Sequence, residues 1–294
     1  MDFDVESAGF VRVEVDAVSA ITVLHPGAMG VSVASSFAAV GHDVRWVTAG
    51  RSDATRARAD AADLVGVATL SEGCAHADVV MSVCPPASAL AVASAVAAEG
   101  FGGVYVDANA ISPATMAEVA STVRAGGAVP VDGSIIGLPA RRAGTTRLYL
   151  AGEGAAALAA DLEGGPLGVR AVDGAVGAAS ALKMAYAGWT KGSSALLLAV
   201  VAYASEAGVY DALLAEWQQS MPQMPAQVEA RAAGVGPKAW RFAGEMEEIA
   251  AALAAAGVPD GFHTAATEVY DALAGFRDAD PPAVAAVVEA ILGR

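Results

Sequence analysis

A chain of 294 residues, 55% hydrophobic but only 6% aromatic and rich in alanine runs, is long enough to bury a substantial core and favours packed helices over a β-sandwich. Its formal charge of −15, from 32 acidic against 17 basic residues, argues against nucleic acid as a partner, because phosphate binding needs a broad positive face, and disfavours an anionic membrane surface. Cys74 and Cys84 are too few for a disulfide framework, and His25, His42, His76 and His263 form no His-x-x-x-His pair, so neither disulfides nor a metal site is expected.

No N-terminal stretch combines basic residues with an apolar core, and the longest apolar run, residues 195–204, is about half of the ~20 a membrane span requires. The expectation is a soluble, reduced, cytoplasmic protein. Residues 1–19, with Glu6, Glu14 and Asp16 among small apolar residues, fit either an edge strand or a loosely attached segment.

Residues 20–58 predict one complete βαβ unit of the dinucleotide-binding kind. An apolar strand over 21–24 breaks into His25-Pro26-Gly27-Ala28-Met29-Gly30, a helix follows to Gly41, and a second strand runs over 43–48. Gly27 lets the backbone approach a pyrophosphate, Gly30 lets the helix pack tightly on the strand, and the helix N-terminus presents free N–H groups. His25 stands where the first glycine of G-x-G-x-x-G belongs. A turn whose glycines serve only the turn is the plain alternative.

An NAD site places an acidic residue after the second strand, whereas this chain has Ala49-Gly50-Arg51-Ser52, with Arg56 and Arg58 close behind. In so acidic a chain this basic cluster favours the 2′-phosphate of NADPH, held by Arg51, Ser52 and Arg56. A solvated helix start, with Asp53 and Asp60 as ion-pair partners, is the competing reading.

Further along, a helix is predicted over 54–64 and strands over 65–69 and 78–83. The second of these strands is stopped by Cys84-Pro85-Pro86, a loop that would face the ligand crevice and put Cys84 and Pro85 against the cofactor. A helix is expected from Ala87 and a strand over 103–106. Asp107-Ala108-Asn109-Ala110-Ile111-Ser112-Pro113 follows, in which Ser112 and Pro113 read as helix N-cap and first residue. Capping does not explain Asp107 or Asn109, and Asn109 is a candidate cofactor contact. Strands over 128–134 and 147–151 flank a loop over 135–139 carrying Ile136 and Gly137, and a strand over 169–172 closes the sheet.

At Asp173-Gly174 the composition shifts to Ala/Leu/Val helices, predicted over 174–207, 211–220, 223–233, 239–256, 261–274 and 282–292. The expected architecture is α/β: a Rossmann domain over residues 1–173 and an all-helical substrate and dimerisation domain over 174–294. The run 195–203 is apolar on all sides, which predicts a homodimer through these helices.

Only three lysines stand against fourteen arginines, and Lys183 and Lys191 both lie on the first of these helices. Arginine cannot give up its proton whereas lysine can be tuned by burial, so Lys183 reads as an ionisable amine in a site. Ser180, Lys183, Ala187, Thr190 and Ser194 share its face, which puts Ala187 and Thr190 beside a substrate. A lysine snorkelling at the helix edge is the alternative.

These motifs resemble the β-hydroxyacid dehydrogenase superfamily, the 6-phosphogluconate dehydrogenase-like group that includes imine reductases, over nearly the whole chain from residue 20. The matching pieces are residues 25–30 for G-x-G-x-M-G, residues 107–113 for the D-x-S-T-type loop, and Gly174-Ala175-Val176-Gly177 through Lys183 for G-x-x-G-x-x-x-x-x-K. Residues 240–249 with 257–263 resemble the C-terminal domain of a poorly characterised branch. The resemblance implies that Lys183 is the catalytic lysine. Two departures stand out: Ile136 replaces the serine of the family's substrate clamp, and Ala187 replaces the asparagine four residues after the lysine. Both make the site more apolar and point to a bulkier or less polar carbonyl substrate. His263 is a further substrate-binding candidate, and Tyr186 and His263 are the reserve proton donors, while Glu245, Glu247 and Glu248 read as a solvated helix face. The expected activity is NADPH-dependent hydride transfer between nicotinamide and a carbonyl or alcohol, with an imine reductase and a non-catalytic NADPH-binding sensor as alternatives.

Overall fold

The computed structural model describes residues 19–277 and 279–294, so the edge-strand question for the N-terminal segment lies outside the described residues. The chain alternates strands and helices through β1 (Ala20–Leu24), α1 (Ala28–Ala39), β2 (Asp43–Val47), α2 (Asp53–Asp60), β3 (Val65–Val67), α3 (Leu70–His76), β4 (Val79–Ser82), α4 (Ala89–Ala98), β5 (Val104–Asp107), α5 (Pro113–Ala125), β6 (Val129–Ile136), β7 (Thr146–Ala151), α6 (Ala155–Leu162) and β8 (Leu167–Ala171). Six helices follow: α7 (Ala178–Glu206), α8 (Tyr210–Ser220), α9 (Met224–Val235), α10 (Ala239–Ala255), α11 (Gly261–Ala272) and α12 (Val284–Ile291).

The strands form one sheet in the order β3-β2-β1-β4-β5-β6-β7-β8, parallel throughout except between β6 and β7. Strand order reverses between β1 and β4, and the crevice outside their carboxyl ends is where open α/β sheets bind ligands. The strands are short apolar runs because both faces are covered. Val23, Phe37 and Leu148 fill one layer and Val80, Tyr105 and Met116 the other. The helical region has its own core, in which Leu198 and Val201 of α7 meet Met246 and Ile249 of α10 and Tyr270 of α11. Burying a side chain such as Leu198 contributes ~1.5–3 kcal/mol.

Three local expectations are corrected. Two helices stand where the sequence reading expects none: α3, with Thr69 and Glu72 forming a reciprocal capping box at its start, and α6. Ile135 and Ile136 belong to β6 rather than to a loop, because both are buried and pair across to Leu148 and Arg147. The chain leaves the strand at Gly137, whose φ of +129° suits glycine and where a Cβ would lie 2.5 Å from the Thr145 carbonyl oxygen.

Candidate active site

At the carboxyl end of β1 the chain turns through His25, which takes the left-handed φ of +63° that glycine would adopt freely. The His25 carbonyl oxygen accepts from the Gly27 N–H at 2.7 Å and lies 2.6 Å from where a Gly30 Cβ would be. Gly30 is therefore required by this close approach. Gly27 has no such protein neighbour: a Cβ there would point into open space, and α1 begins with no side-chain cap. Open room above Gly27 and uncapped N–H groups fit a pyrophosphate. Within the same turn Pro26 and Gly30 are buried, Met29 packs against the sheet core and Ala28 faces outward.

Arg51 follows β2 and makes no side-chain hydrogen bond or ion pair among the described residues; its Nε and the Nδ1 of His25 are buried without partners. Burial, then the Arg51 charge, pushes the His25 pKa down to about 4, so the imidazole stays neutral beside the guanidinium. The other basic groups are engaged. Arg56 donates to the Thr48 carbonyl at 2.8 Å, Arg58 to the Thr55 hydroxyl at 3.0 Å, and the Ser52 hydroxyl caps α2 by accepting from the Thr55 N–H. Thus Arg51 is the residue of the cluster left with buried donor capacity to satisfy.

Asn109 is buried, and its side-chain oxygen and nitrogen both have partners inside the protein. Its side-chain oxygen accepts from the Cys84 N–H, and its NH₂ donates to Ser82 Oγ (3.1 Å) and Asp107 Oδ2 (2.9 Å). It ties the ends of β4 and β5 together and sets the Cys84-Pro85 loop. Pro85 is exposed at its tip, and burial raises the Cys84 thiol pKa to about 11.

The placement of Lys183 begins on β6. Ser82, Asp107 and Asp132 lie level across β4, β5 and β6, and β6 continues beyond that row to Ile136. Asp132 grips the start of α7: its carboxylate accepts from the Gly177 N–H (2.9 Å), the Ser180 N–H (2.9 Å) and the Ser180 hydroxyl (2.7 Å). A carboxylate at a helix N-terminus also meets the positive end of the helix dipole. Ser134 donates to the Ala179 carbonyl at 2.6 Å, and the Lys183 ammonium donates to the Ile135 carbonyl at 2.7 Å. Three successive attachments therefore lay α7 along the projecting end of β6 and hold the amine beyond the carboxyl edge of the parallel strands. Burial, then the charge of Arg241, lowers the Lys183 pKa to about 8.

Glu245 and Glu248 do not belong to a solvated helix face. Glu245 is ion-paired with Lys191, whose Nζ lies 4.5 Å from the Phe242 ring centroid. Glu248 reaches from α10 to the start of α5, accepting from the Ser112 N–H at 2.6 Å and the Thr115 hydroxyl at 2.9 Å. This second strap joins the helices to the sheet. Ile136 and Ala187 are buried, and the Thr190 hydroxyl donates to the Tyr186 carbonyl. His263 Nε2 lies 3.1 Å from the Gly188 carbonyl oxygen, in a notch that Gly188 and Gly192 leave open on α7. No group of metal-ligating side chains occurs among the described residues, and no helix among them is long and apolar enough to cross a membrane.

A parallel-dominated sheet with interleaved helices, followed by an all-helical region, is the hydroxyacid dehydrogenase fold. Residues 204–273 match a domain of unknown function, DUF1932. No curated protein matches the chain. Among solved structures, the chain is 26% identical to MTH1747, a conserved protein of unknown function described as structurally similar to 3-hydroxyacid dehydrogenases, covering 86% of this chain and 96% of that one at a TM-score of 0.64. It is 19% identical to a 3-hydroxyisobutyrate dehydrogenase from Mycobacterium tuberculosis, over 92% and 98% of the two chains, at a TM-score of 0.69. It is also 19% identical to a reductive aminase from Aspergillus terreus in complex with NADPH, over 92% and 99%, at a TM-score of 0.55. The chain has the fold of the β-hydroxyacid dehydrogenase superfamily, as its motifs led one to expect.

Proposed function

We propose that the protein is an NADPH-dependent oxidoreductase acting on a carbonyl or its alcohol. The observation that carries the reading is the Lys183 amine, held by the Ile135 carbonyl with a pKa of about 8 at the ligand edge of the sheet. The open Gly27 position, the uncapped start of α1 and the partnerless Arg51 Nε fit a dinucleotide, with Arg51 as the 2′-phosphate ligand and the Cys84-Pro85 loop alongside. When bound, the cofactor supplies or accepts hydride. Lys183, as ammonium, stabilises negative charge on the carbonyl oxygen and gives it a proton; as free amine it takes the proton back in oxidation. A pKa near working pH suits both directions.

On this reading residues 174–294 form the substrate and dimerisation domain of a cytoplasmic homodimer. Tyr186, Trp189, Leu196, Val200 and Tyr203 support the dimer, since they form one exposed apolar stripe along α7. Imine reduction is the second reading, favoured by the fold shared with the reductive aminase. The test is reduction of a panel of β-keto acids, aldehydes and cyclic imines with NADPH or NADH. Turnover of carbonyls with preference for NADPH is expected; turnover of imines alone moves the assignment to the second reading, and NADPH binding without turnover of any class leaves a sensor.

A further inference from the structure

His25 stands where a nucleotide-binding turn would carry glycine, and it holds a left-handed φ of +63° that glycine adopts freely. A side chain kept in that conformation points to a use for the side chain itself. The backbone gives it a neighbour. Strands β1 and β2 run side by side with Val23 level with Trp46, so His25 and Thr48 leave the sheet next to each other. The turn Thr48-Ala49-Gly50-Arg51 then doubles back: Gly50 has a φ of +68°, and the Arg51 N–H donates to the Thr48 carbonyl at 3.3 Å. Arg51 is thereby returned to the level of His25, one strand over, at the carboxyl edge of the sheet.

Both side chains are half-buried, and each has a buried polar atom without a partner, Nδ1 in His25 and Nε in Arg51. The surrounding groups do not satisfy them. Arg56 is engaged with the Thr48 carbonyl, the Cys84 thiol after β4 keeps its proton, and α1 carries no ionisable side chain. Burial and the guanidinium outweigh the Leu24 carbonyl and keep the imidazole neutral, so it offers one N–H rather than a second charge. A neutral donor beside a fixed cation suits an acceptor that brings several negatively charged oxygens. We propose that His25 and Arg51 together clamp the 2′-phosphate of NADPH, the guanidinium supplying charge and the imidazole an N–H. This rests on the oxidoreductase reading and deepens it: preference for the phosphorylated cofactor depends on a residue of the glycine turn as well as on the segment after β2.

The experiment is calorimetric titration of wild type, His25→Gly and His25→Asn with NADPH and, separately, with NADH, and a thermal melt of each protein. Wild type is expected to bind NADPH more tightly. His25→Gly should lose about tenfold in NADPH affinity, as loss of a charge-assisted hydrogen bond does, with NADH affinity unchanged. Its Tm should not fall, because glycine adopts this φ without strain. His25→Asn tolerates the same backbone and keeps an N–H donor, so it should recover part of the preference. An unchanged ratio of NADPH to NADH affinity in His25→Gly, or an equal loss for both cofactors with a lower Tm, overturns the clamp while leaving the oxidoreductase reading in place. Wild type that binds neither dinucleotide overturns that reading, and the clamp with it.

Discussion

Replacing Lys183 by methionine keeps the length of the side chain and removes its charge. Burial and Arg241 lower the amine's pKa from 10.5 to about 8. A tenfold change in an ionisation equilibrium is worth ~1.4 kcal/mol, so holding the ammonium in this site at neutral pH costs the fold about 3 kcal/mol. The variant loses the bond to the Ile135 carbonyl, which offsets ~1–2 kcal/mol of that gain. Lys183→Met is therefore expected to be more stable than wild type at pH 7 by about 1–2 kcal/mol, a rise in Tm of roughly 2–8 °C for a chain of this size. The sign with pH follows from a folded pKa below the unfolded one. Wild type gains stability as pH climbs from about 8 toward 10.5, and its deficit against the variant closes over that interval. Scanning calorimetry at pH 7 and at pH 9.5, with turnover measured alongside, checks both halves. Turnover should fall by ~10²–10⁴. A variant less stable than wild type at pH 7, or a gap that does not change with pH, refutes the argument that the amine is held at a cost for its chemistry.

The same pKa predicts that reductive turnover declines above about pH 8, where the ammonium is lost, while oxidative turnover rises toward that pH; flat profiles of kcat in both directions would remove Lys183 as the proton donor. Arg51→Ala should lower the preference for NADPH over NADH by about tenfold or more in binding titrations, whereas an unchanged ratio would assign the 2′-phosphate elsewhere. Asp132→Asn leaves at least one of three donors at the start of α7 facing an amide NH₂. A loss of about 1–3 kcal/mol in urea unfolding and a drop in kcat from a displaced Lys183 are expected together. Trp189→Asp combined with Tyr203→Asp should convert a dimer to monomer in sedimentation, since both side chains are more than two-thirds exposed on one face of α7; a wild type that sediments as a monomer rejects the dimer outright.

What could be read from the residues alone follows from the range of the interactions involved. The βαβ unit, most of the strands and all six C-terminal helices announce themselves through short apolar runs, glycines and proline stops, which are local signals. Helix α3, with 7 residues, is too short for its periodicity to register, and only the Thr69/Glu72 pair marks it. Lys183 was legible because lysine is rare in this chain. Its neighbours were not. Glu248 looks like any charge on an exposed face until Ser112 and Thr115, more than a hundred residues away, are seen to donate to it.

Helix α7 has 29 residues and so is about 43 Å long, yet it is fastened to the sheet at one end, by Asp132, Ser134 and the Ile135 carbonyl. It is mechanically a long beam clamped near its root. A tilt of about 5° at the clamp sweeps the far end through roughly 4 Å, and by the same leverage a push of that size far along the helix reaches the lysine reduced to a fraction of an ångström. Changes at distant exposed side chains such as Tyr203 are thus geared down before they reach the Lys183 amine, so the exposed stripe of the far half can change its contacts while its buried face stays packed in the helical core and the proton-transfer distance stays nearly fixed.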